Sequence, residues 1–109
     1  MSVPFVSQLR AARAPIKLAE AAEADTITIR VEVAELWDAV RVIARPETPV
    51  AELKQRVVAE FFPSHQYPED FVLKFRGWEI LDENGSLKDC GIVNGSILLL
   101  GYRRRRPVR

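Results

Sequence analysis

One segment of this chain, Thr48 to Phe61, carries a helical apolar period, and period-two alternation lies on both sides of it. Val50, Leu53, Val57 and Phe61 fall at spacings of three and four and share one helical face, leaving Glu52, Lys54, Gln55, Arg56 and Glu60 for water. Thr48 supplies an N-cap hydroxyl and Pro49 suits the first helical position, where its missing donor costs nothing. A lone amphipathic helix among strands must bury its stripe against one face of a sheet. The pattern therefore implies a two-layer α+β domain.

The strands follow from their alternation. Ile27, Ile29, Val31 and Val33 alternate with Thr28, Arg30, Glu32 and Ala34, and after a turn at 35–38, Val40, Val42 and Ala44 alternate with Arg41, Ile43 and Arg45. The two segments are close enough to form a hairpin, which Pro46 ends because it has no N–H for a ladder. Beyond the helix, Pro63 and Pro68 bracket a loop holding His65. Phe71, Leu73 and Phe75 then face one way and Val72, Lys74 and Arg76 the other. Gly77 turns the chain into a short strand at 78–81, Asp82–Gly85 forms a turn, and Leu87 and Ile92 are isolated apolar anchors. Asn94–Gly95 is a further turn before a last strand over 96–102. Its run Ile97–Leu100 suits the sheet centre, beside the first strand.

Three stretches have different compositions. Residues 1–25 are Ala-rich and interrupted by Pro4 and Pro15, and are expected to be a mobile extension with a short helix at 16–24. Their Val3–Val6 apolar core is too short for a secretory signal. Residues 26–102 form the domain. Residues 103–109 are a basic tail with Arg103, Arg104, Arg105, Arg106 and Arg109, whereas residues 1–100 hold 11 basic and 15 acidic residues. Across 109 residues there is one Cys and no apolar run of the roughly 18 residues a membrane span needs, so a disulfide framework and a membrane-spanning helix are both excluded.

Ordered in this way, FVLKFRGWEILDENGSLKDCGIVNGSILLL and ARPETPVAELKQRV resemble the ubiquitin-like β-grasp family. Gly77, Leu81, Asp82, Leu87, Asp89 and Ile92 match one half of that pattern, and Pro46, Val50, Leu53 and Lys54 match the strand-to-helix segment. The resemblance implies a mixed sheet of four to five strands packed on one helix. It also marks a departure. Ubiquitin-type modifiers end in a glycine pair that is activated and conjugated, and no Gly-Gly exists in this chain. Conjugation is not expected. Within the family the chain is most similar to small bacterial YukD-like proteins, which also lack the pair and are associated with type VII secretion machinery.

The resemblance further implies a recognition surface on the exposed sheet face, with Lys74, Leu98 and Leu100 at the matching positions. Lys74 puts a charge where the family has an aliphatic residue. Trp78, after the turn glycine, and Trp37, at the first hairpin, are either contact anchors or core residues. The Arg103–Arg106 run suits nucleic-acid phosphates, an anionic membrane, an acidic protein, or simple solvation.

No catalytic constellation is signalled. Cys90 has only His65 as a candidate base and reads as an ordinary cysteine. No Cys/His cluster suits a metal, and turn chemistry accounts for Asp82, Glu83 and Asp89. No cofactor, metal or small-molecule substrate is expected. The leading expectation is a cytoplasmic, non-enzymatic, non-conjugating adaptor that binds protein partners. The alternatives are a nucleic-acid-associated module and an accessory subunit of a multicomponent enzyme.

Overall fold

A computed structural model describes residues 14–19, 25–64 and 67–103. Its strands are β1 (Ile16–Lys17), β2 (Ile27–Val33), β3 (Asp38–Ala44), β4 (Phe71–Phe75), β5 (Trp78–Glu79) and β6 (Ile97–Tyr102), with one helix, α1 (Val50–Phe61). They form a mixed sheet in the order β1-β3-β2-β6-β4-β5. The first hairpin is antiparallel from Ile27↔Ala44 to Val33↔Asp38. The last strand enters the centre parallel to β2, with Val31 beside Leu98 and Val33 beside Leu100. On its other side β6 runs antiparallel to β4, and β5 closes that edge. This is the α+β grasp arrangement, with six strands where four to five were expected.

The additional strand replaces part of an expected helix. Ile16 and Lys17 pair in parallel with Val42 and Ile43, and the Leu18 N–H donates to the Ile43 carbonyl at 2.8 Å. A helix of so few residues gains little by itself. Ile16 instead buries its side chain in the core against the open edge of β3. The remainder of that expected helix, residues 20–24, lies outside the described residues.

Alternation in β2 and β3 places Ile29, Val31, Val33, Val40, Val42 and Ala44 on the inner face, where α1 covers them. Val50, Leu53, Val57 and Phe61 point back at the sheet as the helical spacing predicts, and Val58 joins them. Each such side chain contributes about 1.5–3 kcal/mol on burial. Leu87 and Ile92 are buried as the two anchors of the long loop.

Two details of the helix differ from the sequence reading. The N-cap is Pro49, and no side-chain hydrogen bond caps the helix. Thr48 is spent in a turn, its N–H on the Arg45 carbonyl and its carbonyl on the Leu87 N–H. The free helix amides are met by the acidic turn instead: Val50 N–H donates to the Gly85 carbonyl and Ala51 N–H to the Glu83 carbonyl. The second difference is Lys54, which is buried rather than solvated. It lies four residues after Val50 and four before Val58, on the apolar stripe. Its Nζ donates to the Phe71 carbonyl at 2.8 Å and to Glu83 Oε2 at 2.7 Å. A buried charge persists only when compensated in this way. These bonds tie α1, β4 and the 82–88 loop together.

Candidate functional site

The outer sheet face carries no helix among the described residues. Register defines its rows. In one row Ala39, Glu32, Leu99, Lys74 and Glu79 lie side by side across β3, β2, β6, β4 and β5. In the next, Arg41, Arg30 and Ile97 are in line. Ile97 and Leu99 thus form an apolar ridge down β6, 53% and 39% exposed.

Leu98 and Leu100 do not belong to this surface. Both are fully buried, beside Val31, Val33 and Leu73 on the inner face. Because side chains alternate, a one-residue slip in assigning the strand moves every side chain to the opposite face. The expected contact positions are corrected to Ile97 and Leu99. Lys74 is exposed on the outer face, as the resemblance implied.

The ridge leads to a groove of about 520 Å³ lined by Arg30, Glu32, Trp37, Asp38, Ala39 and Leu99. Trp37 ends the 3-10 turn Ala34–Leu36 with φ of 52° and is 84% exposed. A left-handed, solvent-facing tryptophan makes no contribution to the core. Of its two readings the structure favours the contact anchor. Its neighbours hold the turn in shape: the Ala39 N–H donates to Asp38 Oδ1, and the Tyr102 N–H donates to Glu35 Oε2.

Trp78 is also exposed, but it is not brought together with Lys74. Arg76 and Gly77 both have positive φ, the backbone of a two-residue turn whose twist suits a hairpin. This turn sets Glu79 opposite Lys74 and Trp78 opposite Phe75. The parity of β5 therefore directs Trp78 away from the outer rows. It lines a second hollow of about 360 Å³ with Leu81 and Cys90.

Of the expected basic tail, Arg103 is described and it is anchored. Its backbone N–H donates to the Asp70 carbonyl, its Nε to the Glu69 carbonyl at 3.0 Å, and its guanidinium pairs with Glu79 Oε2 at 3.1 Å. This side chain reaches from the end of β6 to Glu79 of β5, on the far side of β4. Val72 of β4 is buried although it has outer-face parity. Arg104, Arg105, Arg106 and Arg109 lie outside the described residues, as does His65.

Residues considered for chemistry are occupied by turn geometry. Asp82 Oδ1 accepts from the Asn84 N–H, while Ser86 and Asp89 exchange bonds reciprocally, side chain to backbone amide. Partial burial, reinforced by Asp82 and Asp89, pushes the Cys90 thiol above its ordinary value. Such a thiol is a poor nucleophile near neutral pH.

No protein-family model and no curated protein sequence matches the chain. Among solved structures it is similar to a designed protein based on ubiquitin, with a TM-score of 0.62 and 18% identity over 80% of this chain and 100% of that one. It is similar to Caldiarchaeum subterraneum ubiquitin at 0.62 and 18%, covering 75% of this chain and 99% of that one. A ubiquitin-like domain from an Arabidopsis thaliana protein gives 0.63 and 16%, covering 84% and 94%. These likenesses establish the fold as ubiquitin-like.

Proposed function

We propose that this ubiquitin-like fold acts as a non-conjugating adaptor that binds protein partners through its outer sheet face. The observation that carries the reading is the Ile97–Leu99 ridge, exposed beside Trp37 with no described element over it. Apolar groups held out on a rigid sheet, with an aromatic at the rim, are the elements from which interface hot spots are built. The absence of any Gly-Gly sequence supports a role without conjugation. A non-enzymatic role is supported by the raised Cys90 thiol and by carboxylates already spent on turns.

A cytoplasmic location, where a lone thiol stays reduced, belongs to the same proposal. No helix among the described residues is long and apolar enough to cross a membrane. Kinship with YukD-like proteins and a place beside a type VII-like secretion system form its finer part, supported by the sequence resemblance alone. Affinity capture from the source cell, with wild type and Leu99→Asp compared, tests the whole. A discrete protein set held by wild type and lost from the folded variant is expected, and membrane machinery in that set would support the finer part. Recovery of nucleic acid alone would overturn the adaptor reading.

A further inference from the structure

The sheet has more strands than the resemblance implied, and β1 lies where β3 is apolar. It covers only the end of that strand, with Ile16 beside Val42 and Lys17 beside Ile43. The part of β3 left open among the described residues, 38–41, carries Asp38 and Arg41, whereas Val42, Ile43 and Ala44 have no charge. Unpaired backbone at a sheet edge recruits foreign strands, so such edges are blunted by charge or covered by another element. Here β3 has both treatments. The new edge is blunted in turn, since Pro15 precedes β1 and Lys17 is exposed on it.

Few groups hold this cover in place. Ile16 enters the core at 5% exposed, Leu18 packs half-buried against that core, and Lys17 faces solvent. Among the described strands β1 is paired with β3 alone. Its bonds are those of two ladder positions and of the Leu18 N–H on the Ile43 carbonyl. An edge element with so little buried area opens locally, without global unfolding. Its connection to β2 permits that. Lys17 and Ile27 lie at the same end of β3, beside Ile43 and Ala44, two strand spacings or about 10 Å apart. Residues 19–26 reach about 26 Å when extended, so β1 can leave while β2 stays paired.

We propose that β1 is a releasable cover, and that the strand replacing it on β3 is the same segment, residues 14–18, of a second copy of this chain. The site is already shaped to that occupant. Ile16 fills its place in the core, and the Leu18 N–H meets the Ile43 carbonyl, whichever copy supplies them. Exchange keeps the contacts of β1 and alters only the connection. A tether of this length holds its own strand at an effective concentration in the millimolar range. A second copy therefore competes once the chain is concentrated to that level. This interface lies at the sheet edge and is independent of the adaptor reading.

The test uses the full chain and NMR. In dilute wild type the Leu18 amide should exchange about 100-fold faster than those of Val31 and Leu98, at a rate that low urea does not change. Equal exchange at all three would show that β1 opens only with the whole fold, and would overturn the proposal. An equal mixture of isotope-labelled and unlabelled chain at about 1 mM should show contacts between the Ile16 methyls of one copy and the Val42 methyls of the other, lost on dilution to about 0.05 mM. Absence of these contacts at the higher concentration would rule out exchange. Ile16→Asp and, separately, Leu18→Pro should abolish the dimer seen by sedimentation while the Val31 and Leu98 amides stay protected. A dimer that survives both variants would place the interface elsewhere. A threonine–valine hexapeptide forms the last arm. If it displaces β1 as readily as a second copy does, the edge is a general strand acceptor and the assigned occupant is wrong.

Discussion

Leu98 and Leu99 are adjacent and chemically identical, yet one is sealed between β2, β4 and α1 while the other faces solvent at the middle of the opposite surface. The same division runs through the whole sheet. On the inner face Val31, Val33, Leu73, Leu98 and Leu100 are fully buried or nearly so. On the outer face the exposed aliphatic side chains, Ile97 and Leu99, stand among the Arg30–Glu32 and Arg103–Glu79 ion pairs and the cations Arg41 and Lys74. The inner face contributes stability through dehydrated area, and the outer face holds apolar area that folding has not used. The same residue type therefore has different roles on the two sides, and substitutions can separate them.

The largest separation is expected in stability. Leu100→Ala, which leaves a cavity against Val33 and Leu73, should cost about 3 kcal/mol, whereas Leu99→Ala should stay within about 0.5 kcal/mol. Urea unfolding of the two variants measures this directly, and equal losses would erase the distinction between the faces. A smaller effect is expected at the bond that joins α1 to the acidic turn. Glu83→Ala strips the buried Lys54 ammonium of its counter-charge and leaves the Phe71 carbonyl as its acceptor among the bonds described. Since the Glu83 side chain is a quarter exposed, the cost should be about 2 kcal/mol, below that of breaking a fully buried pair. An unchanged unfolding midpoint would show that Lys54 finds water or another acceptor.

The smallest effect concerns Cys90, in the loop between β5 and β6. Its thiol pKa is raised in the fold, so the folded state holds its proton more tightly than the unfolded chain. Stability from this group is present below the unfolded pKa, about 8.5, and is lost as pH rises above it. Alkylation at pH 9 should be slower than for cysteine in a short peptide, and Cys90→Ser should flatten the decline of stability at alkaline pH. Alkylation at the free-cysteine rate would contradict the partial burial seen here.

The elements with strong periods were legible in the sequence, and the residues whose role depends on register were not. The helix face and the β2–β3 hairpin follow from Val50, Leu53, Val57 and from alternating Ile and Val. The run Ile97–Leu100 is apolar at every position, so it contains no period-two signal and does not say which residues face inward. That choice is made by the neighbours, since Val31 and Val33 in β2 fix Leu98 and Leu100 beside them. The buried position of Lys54 had a signal in its four-residue spacing from Val50 and Val58, obscured by its charge. Two residues of β1 are too few to carry any period. Arg103 looked like one of a run of arginines, and only its approach to Glu79 across β4 distinguishes it. Trp37 was ambiguous because exposure depends on the left-handed turn that carries it.

The most direct single measurement pairs thermal unfolding with partner capture for Leu99→Asp. If the outer face is the working surface, the variant should melt within a few degrees of wild type and lose its protein partners. Retention of the same partners by the folded variant would contradict that assignment.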